Sequence, residues 1–479
     1  MVEETLGFHS LREEVATELP VEGELPSWLS GSLVRNGPGA FGFEDAAVEH
    51  WFDGLAMLQK YTFDGGSVAY RNRLLRTEAY EAAREGTFEG GFATAETTLR
   101  ERLTAFLGPP YDNTNVIAER IGGEYLALTE TPYRVAFDPT TLRVTGGNQY
   151  AGPEPSGNLA CSHLRYDPAT NVFVTFETEF GPTSQYHVHA VPGADERRHI
   201  GSVPVEEPAY MHSFALTPRF IVLTEFPFVI DPLAVLKPGR LDPFIEQFEW
   251  RPDRGTRFIV MDRTTGDVVA EPRTDALFGF HHANAYECSG GEELVIDLET
   301  VPDVSAIDSL YLDRLEDGSL DALAGRLERF RVRLDGLGGP RIDREEVYGG
   351  GTALPTVSPE RWCRPHRYVY AQGTDRPVTE WPTAVIKIDT ESGDAHEFQD
   401  DGNNLSEPIF VPHPSVRDSS DSTAGCHEDH GVVLTVALDA EVGHSSLIVL
   451  DGESFEEVAR APVPHAIPFD FHGRFFPEL

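Results

Sequence analysis

One phrase recurs along this chain: a short alternating strand that ends on Asp, a turn of Gly, Thr or Ser, and a second strand. It reads YTFDGGSVAY at Asp64, VAFDPTTLRV at Asp138, IVMDRTTGDVV at Asp262, IKIDTESGDAHEF at Asp389 and IVLDGESFEEVA at Asp451. Asp and Gly suit these reversals because both tolerate the backbone angles a tight turn demands. The aspartates are 74, 124, 127 and 62 residues apart, so two intervals are close to twice the last. Copies are therefore expected near residues 200 and 326, where HAVPGADERRHIG around Asp195 and RVRLDGLGGPRI around Asp335 stand. Seven units of about sixty residues, each long enough for four short strands, predict an all-β fold, a seven-bladed β-propeller.

Two stretches break the β pattern. EAAREGTFEGGFATAETTLRERLTAFLG and SLYLDRLEDGSLDALAGRLERF carry apolar residues at helical spacing, among them Leu312, Leu315, Leu320, Leu323 and Leu327. They predict helical insertions at roughly residues 80–110 and 305–330 that form a dome over one end of the propeller. A linker rich in Pro, Ser and Gly is missing, so residues 1–479 are expected to form a single domain.

Charge narrows the function classes. There are 79 acidic against 38 basic residues, a formal charge of -41, and only Lys60, Lys237 and Lys387 are lysines. Such a surface suits concentrated salt, where screening removes the self-repulsion of a compact chain, and is read as halophilic adaptation. It argues against nucleic-acid binding, which depends on Lys and Arg neutralising phosphates. With 40% apolar residues a sizeable core is available, yet no apolar run approaches the length of a membrane span, so a soluble chain is expected. The acidic N-terminus MVEETLGFHSLREEV lacks the features of a secretory signal, and a cytoplasmic location is expected. Cys161, Cys288, Cys363 and Cys426 are dispersed and expected to be reduced.

Four of the seventeen histidines share a context: His163 in ACSHLRYDPATNVFVTF, His212 in AYMHSFALTPRFIVLTEF, His281 in FGFHHANAYECSGGEELVIDL and His472 in PFDFHGRFF. Each opens or closes a strand-like unit, and the innermost strands of a propeller converge on its axis, where matching histidines would meet. Four imidazoles would hold a divalent metal, iron with two positions left open for dioxygen and substrate or, as the second choice, zinc. Taken singly, each histidine fits better as a hydrogen-bonded member of a β core; four in matching contexts favour the metal. Glu130 in LALTETPYR and Glu407 in LSEPIFVPHP are acids in apolar surroundings, suited to hold metal-binding rings from behind. CHEDH at 426–430 reads as a solvated acidic turn, and YHVH at 186–189 lacks a third ligand nearby in sequence.

Together with GSLVRNGPG, HWFDGLAMLQKYTF, YRNRLLRTEAY, DNTNV, ALTET, MHSFALT, FHHANAYE, SEPIFVPHP, EVARAPVP and the closing FHG, these residues make the chain resemble the carotenoid cleavage oxygenases over nearly its whole length. The resemblance implies a seven-bladed propeller under a helical dome, holding a non-haem Fe(2+) through His163, His212, His281 and His472. It further implies that His281 faces the metal while His282 packs elsewhere, and that Glu130 and Glu407 are supporting glutamates. A third glutamate is expected just before the proline of GGGTALPTVSP, where this chain has Ala353; Glu345, Glu346, a water or a backbone carbonyl is then the expected support of His281. The first site also departs, reading CSHLRYDP where relatives usually have Ala-His-Pro.

NTNV, ALTETPY and FDPTTL are more similar to the animal-type β-carotene oxygenases than to the stilbene-cleaving branch. What this implies is cleavage of a conjugated double bond of a carotenoid by ferrous iron and O2, with retinal from central cleavage of β-carotene as the preferred product. Off-centre or apocarotenoid cleavage, stilbene cleavage and a non-catalytic carotenoid-binding propeller are the rivals. A lipid-borne substrate implies peripheral membrane contact, for which residues 226–248 and 103–110 are the apolar candidates, with core packing as their other reading.

Overall fold

The computed structural model describes residues 4–43, 46–86, 91–94, 111–232, 243–316, 320, 324–334, 339–374, 378, 380–400, 402–417 and 428–479. They fold into antiparallel sheets, with short helices only at the periphery. The recurring phrase is a recurring hairpin. Asp64 closes the strand Leu55–Asp64 against Ser67–Leu74, Asp262 ends Thr256–Asp262, Asp389 ends Ala384–Asp389 and Asp451 ends His444–Asp451. The side chain supplies the reason: Oδ1 of Asp138, Asp262 and Asp451 accepts the backbone N–H groups two and three residues onward, and Oδ1 of Asp389 accepts that of Glu391. Asp195 lies in the turn joining Ser184–Val191 to Arg198–Val205, as the spacing requires; Asp335 lies outside the described residues.

Both ends of the chain take part in closing the ring of a β-propeller. His472–Phe476 joins Gly31–Ala40 at the edge of the first sheet, and Glu22–Gly23 joins Glu457–Pro462 in the last. The largest sheet has seven strands, and its sixteen-residue strand Arg341–Thr356 pairs with Gly325–Arg333 through its first part and with Tyr368–Gly373 through its end. The register shifts there between Ala353 and Thr356, and Gly351 holds φ +107, a conformation that a side chain would strain.

Only parts of the two predicted helical insertions fall within the described residues. Glu78–Arg84 is helical, capped by the Thr77 hydroxyl and the Asp112 carboxylate; residues 95–110 lie outside the described residues. Among the described residues of the second stretch, Ser305–Asp308 and Leu312–Glu316 are helical. Gly325–Arg333, expected to continue the helix to about residue 330, is a strand. Phe330 and Val332 are fully buried two residues apart, and pairing with Glu293–Thr300 on one side and Arg341–Thr356 on the other overrides the leucine spacing. No helix among the described residues is long and apolar enough to cross a membrane. Within 226–248, Phe226, Phe228, Ile230, Ile245 and Phe248 are buried in the largest core cluster, and residues 233–242 and 103–110 lie outside the described residues.

Candidate metal centre

His163 and His212 lie in the turns just before the inner-edge strands Arg165–Asp167 and Ala215–Leu216, His281 immediately precedes His282–Cys288, and His472 begins His472–Phe476. Four sheets thus deliver one imidazole each to a common point. One ring nitrogen from each of the four lies within 4.8 Å of the others. Nε2 of His163 is 2.9 Å from Nε2 of His212, and the ring centroids of His163 and His472 are 4.4 Å apart. Nitrogens bound at about 2.1 Å around one ion would lie roughly 3 to 4 Å from each other, so the cluster has the right size for a single metal.

Its electrostatics favour lone pairs. Burial, then the neighbouring histidines, lower the proton affinity of His163 and His281 well below the ordinary imidazole range. His472 is lowered by burial in the same way. Nε2 of His281 is buried with no hydrogen-bond partner among the described residues, an orphaned acceptor aimed into the cluster. A bound metal would satisfy it.

Three of the rings are held from behind. Nδ1 of His212 is 2.6 Å from Oε1 of Glu130, whose other oxygen accepts the Tyr210 hydroxyl at 2.9 Å. Nδ1 of His472 is 2.9 Å from Glu407, which also accepts the Gly473 N–H. Burial alone would raise the Glu407 carboxyl; His472, Arg35 and that N–H more than offset it and hold it low. Nδ1 of His281 is 3.1 Å from Oε2 of Glu299. An Nδ1–H donated to a carboxylate fixes the tautomer and leaves Nε2 free to bind. Among the described residues His163 has no such carboxylate.

Glu299 is the residue that sequence reasoning missed. Glu345 and Glu346, the expected substitutes near Ala353, face outward instead and pair with Arg331 and Arg326. Burial pushes the Glu299 carboxyl up to about 8, with the Leu354 N–H opposing. The signal was present as an acid within the apolar run LVIDLET, but Asp297 carries the same signature two residues away and instead pairs with Arg329. His282 packs elsewhere, its two ring nitrogens 2.7 Å from Ser213 Oγ and 2.9 Å from Thr224 Oγ1.

The described residues of the other two histidine motifs do not join the cluster. His187 pairs with Ser202 and Glu179, and its ring centroid is 6.4 Å from that of His189, away from the four-histidine cluster. Of residues 426–430, the first two lie outside the described residues; Glu428 is buried and accepts the N–H groups of Arg367 and Tyr368, and Asp429 pairs with Lys387, so this is no solvated turn.

Aromatic rings crowd one side of the cluster. The Phe280 ring stands 5.5 Å from His212, Phe52 packs on Phe280 and Phe471, and Phe92 packs on Tyr210. Asp53 fastens Phe92 in place by accepting the N–H groups of Phe92, Ala93 and Thr94. A cavity that also reaches the cluster is lined by charged residues such as Arg165, Glu119 and Arg474 and by apolar ones such as Leu164, Phe173 and Trp362.

The family model described as retinal pigment epithelial membrane protein matches residues 8–477. The chain is 32% identical over 492 residues to the chloroplastic carotenoid cleavage dioxygenase 8 of Arabidopsis thaliana, covering 96% of this chain and 84% of that protein. It is 31% identical over 513 residues to the carotenoid isomerooxygenase of Galleria mellonella, covering 98% and 96%. To the beta,beta-carotene 15,15'-dioxygenase of Gallus gallus it is 30% identical over 524 residues, covering 96% and 95%. These near-equal identities do not single out a branch. Among solved structures, a glutamate-to-aspartate variant of the Synechocystis apocarotenoid oxygenase superposes with a TM-score of 0.84 at 25% identity, covering 99% of this chain and 98% of that one.

Proposed function

Because this chain belongs to the RPE65-type carotenoid cleavage oxygenase family, we propose that it holds Fe(2+) through His163, His212, His281 and His472 and cleaves a conjugated double bond of a carotenoid with O2. Each oxygen atom of O2 would become the carbonyl oxygen of one fragment, and the preferred reaction is central cleavage of β-carotene to two retinal molecules. The observation that carries the reading is the four-imidazole cluster with an orphaned buried acceptor, set against a wall of aromatic rings. Bound iron supplies the one-electron chemistry that lets dioxygen react with an electron-paired polyene.

The chain's own residues do the rest. Glu130, Glu299 and Glu407 keep Nδ1 protonated on His212, His281 and His472 and point Nε2 inward. Tyr210 steadies Glu130. Phe52, Phe280 and Phe471 exclude water on the side where an apolar chain would lie; a substrate without polar groups must be placed by shape alone. We treat the seven-stranded sheet as two blades sharing the strand Arg341–Thr356, which gives seven, all within one catalytic domain.

The test is chromatography of the products after iron-loaded protein meets β-carotene in air and molar salt. Retinal is expected; apocarotenals would place the cut off centre, and unchanged pigment at full iron occupancy would sink the proposed activity. Apocarotenoid cleavage is the second reading, favoured by the likeness to the Synechocystis apocarotenoid oxygenase, and an apocarotenal substrate offered in parallel decides between them. We place the enzyme in the cytoplasm, in peripheral contact with the membrane that holds its substrate.

The excess of 79 acidic over 38 basic residues supports halophilic adaptation. The thermal midpoint should rise by several degrees between dilute buffer and molar potassium chloride as screening relieves repulsion. A midpoint that is flat or falls with salt would remove that reading.

A further inference from the structure

We propose that Glu299 is the positioning residue of His281 in this chain, taking the place of a carboxylate at position 353. The inference rests on the metal-centre reading above and deepens it. Pairing within the hairpin brings the two residues together: the Glu299 N–H donates to the His281 carbonyl at 3.0 Å, and His282 stands opposite Leu298 in the register. The carboxylate thus comes from the strand that pairs with the one His281 precedes, and it reaches Nδ1 at 3.1 Å.

Its surroundings are built around it. The backbone N–H of Leu354 counters the effect of burial on the Glu299 carboxyl, so main chain beside Ala353 faces this acid where a side-chain carboxylate is missing. Gly325 leaves the other flank open, because a Cβ there would stand 2.9 Å from Oε1 and 3.0 Å from Cγ of Glu299, and 2.2 Å from the Thr352 carbonyl. The three supported histidines then follow one rule, with Glu130, Glu299 and Glu407 each behind an Nδ1.

The consequence is an exchangeable pair: a carboxylate at 299 or at 353 can serve His281. Four full-length proteins decide it, namely wild type, Glu299→Ala, Ala353→Glu and the double variant, each loaded with Co(2+) as a spectroscopic probe and then challenged with chelator. Wild type should hold one cobalt with a stable visible spectrum. Glu299→Ala should release cobalt about 10 to 100 times more readily, the range typical of lost support behind a metal-binding histidine. The double variant should recover most of that retention, a result that packing alone would not produce.

Retention by Glu299→Ala equal to wild type overturns the inference. So does failure of Ala353→Glu to restore it, and a fall in the metal-free melting temperature that accounts for the loss would assign Glu299 to folding. A wild-type chain that takes up no cobalt would instead sink the metal-centre reading on which the inference rests.

Discussion

His281→Ala empties the metal centre, and His282→Ala leaves it filled. The two residues are adjacent and chemically identical, so the contrast isolates direction from composition. His281 presents an unpartnered Nε2 to three other histidines; its loss leaves three nitrogens and an open side to the cluster. The drop in metal affinity should exceed the 10- to 100-fold typical of losing a supporting partner, because a coordinate bond itself is gone. Turnover should vanish with it. His282 spends both ring nitrogens on Ser213 and Thr224, and Ser213 Oγ also bonds the Phe280 carbonyl and the His282 N–H. Its removal leaves a cavity and the buried Thr224 hydroxyl without its imidazole partner, while Ser213 keeps its two backbone contacts, a destabilisation of about 2 to 4 kcal/mol. Metal analysis of both purified variants beside their melting temperatures checks the pair of outcomes. Equal metal loss in the two would mean that the strand, and not the imidazole, governs the site.

That contrast was legible in the sequence only through a resemblance. Alternation along a strand says that two neighbouring histidines cannot face one point, but not which faces it. Much of the scaffold was more open to reading. An Asp that captures the N–H groups of its own turn works within five residues, so the hairpins at Asp138, Asp262, Asp389 and Asp451 announce themselves locally. Leu327 shows where locality fails, because its helical spacing from Leu320 and Leu323 is a property of the segment whereas its strand conformation is imposed by partners on both sides. Glu299 shows the same limit at the site. Whether Asp297 or Glu299 reaches His281 depends on a hairpin register shifted by a bulge between His282 and Asn284, and no short window contains both halves of that information.

Asp470→Ala should cause one of the largest losses of stability available to a single substitution in this chain. Arg35 lies on Gly31–Ala40 and Asp470 two residues before His472–Phe476, so their pair ties together the two strands through which the chain closes its first sheet. The contact is bidentate at 2.5 and 2.7 Å, with side-chain exposures of 0% and 1%. Burial works against the guanidinium charge, yet Asp470, Glu407 and Tyr61 together hold its proton affinity above the ordinary value. Removing Asp470 leaves that charge without its counter-ion, and breaking such a buried pair costs about 3 to 5 kcal/mol. Arg35 also donates to the backbone carbonyl of Glu407 at 3.0 Å, so metal retention should weaken as the support of His472 shifts. The double variant Arg35→Met/Asp470→Leu should lose less than Asp470→Ala, since apolar groups of similar size leave no stranded charge. Urea unfolding of the metal-free proteins measures both, in dilute and in molar salt. Salt cannot screen a pair that water does not reach, so the loss should persist at both ionic strengths, unlike any change at the exposed pair of Arg84 and Glu81. A deficit that molar salt abolished would put Arg35 within reach of solvent and contradict the packing between Gly31–Ala40 and the closing strand His472–Phe476.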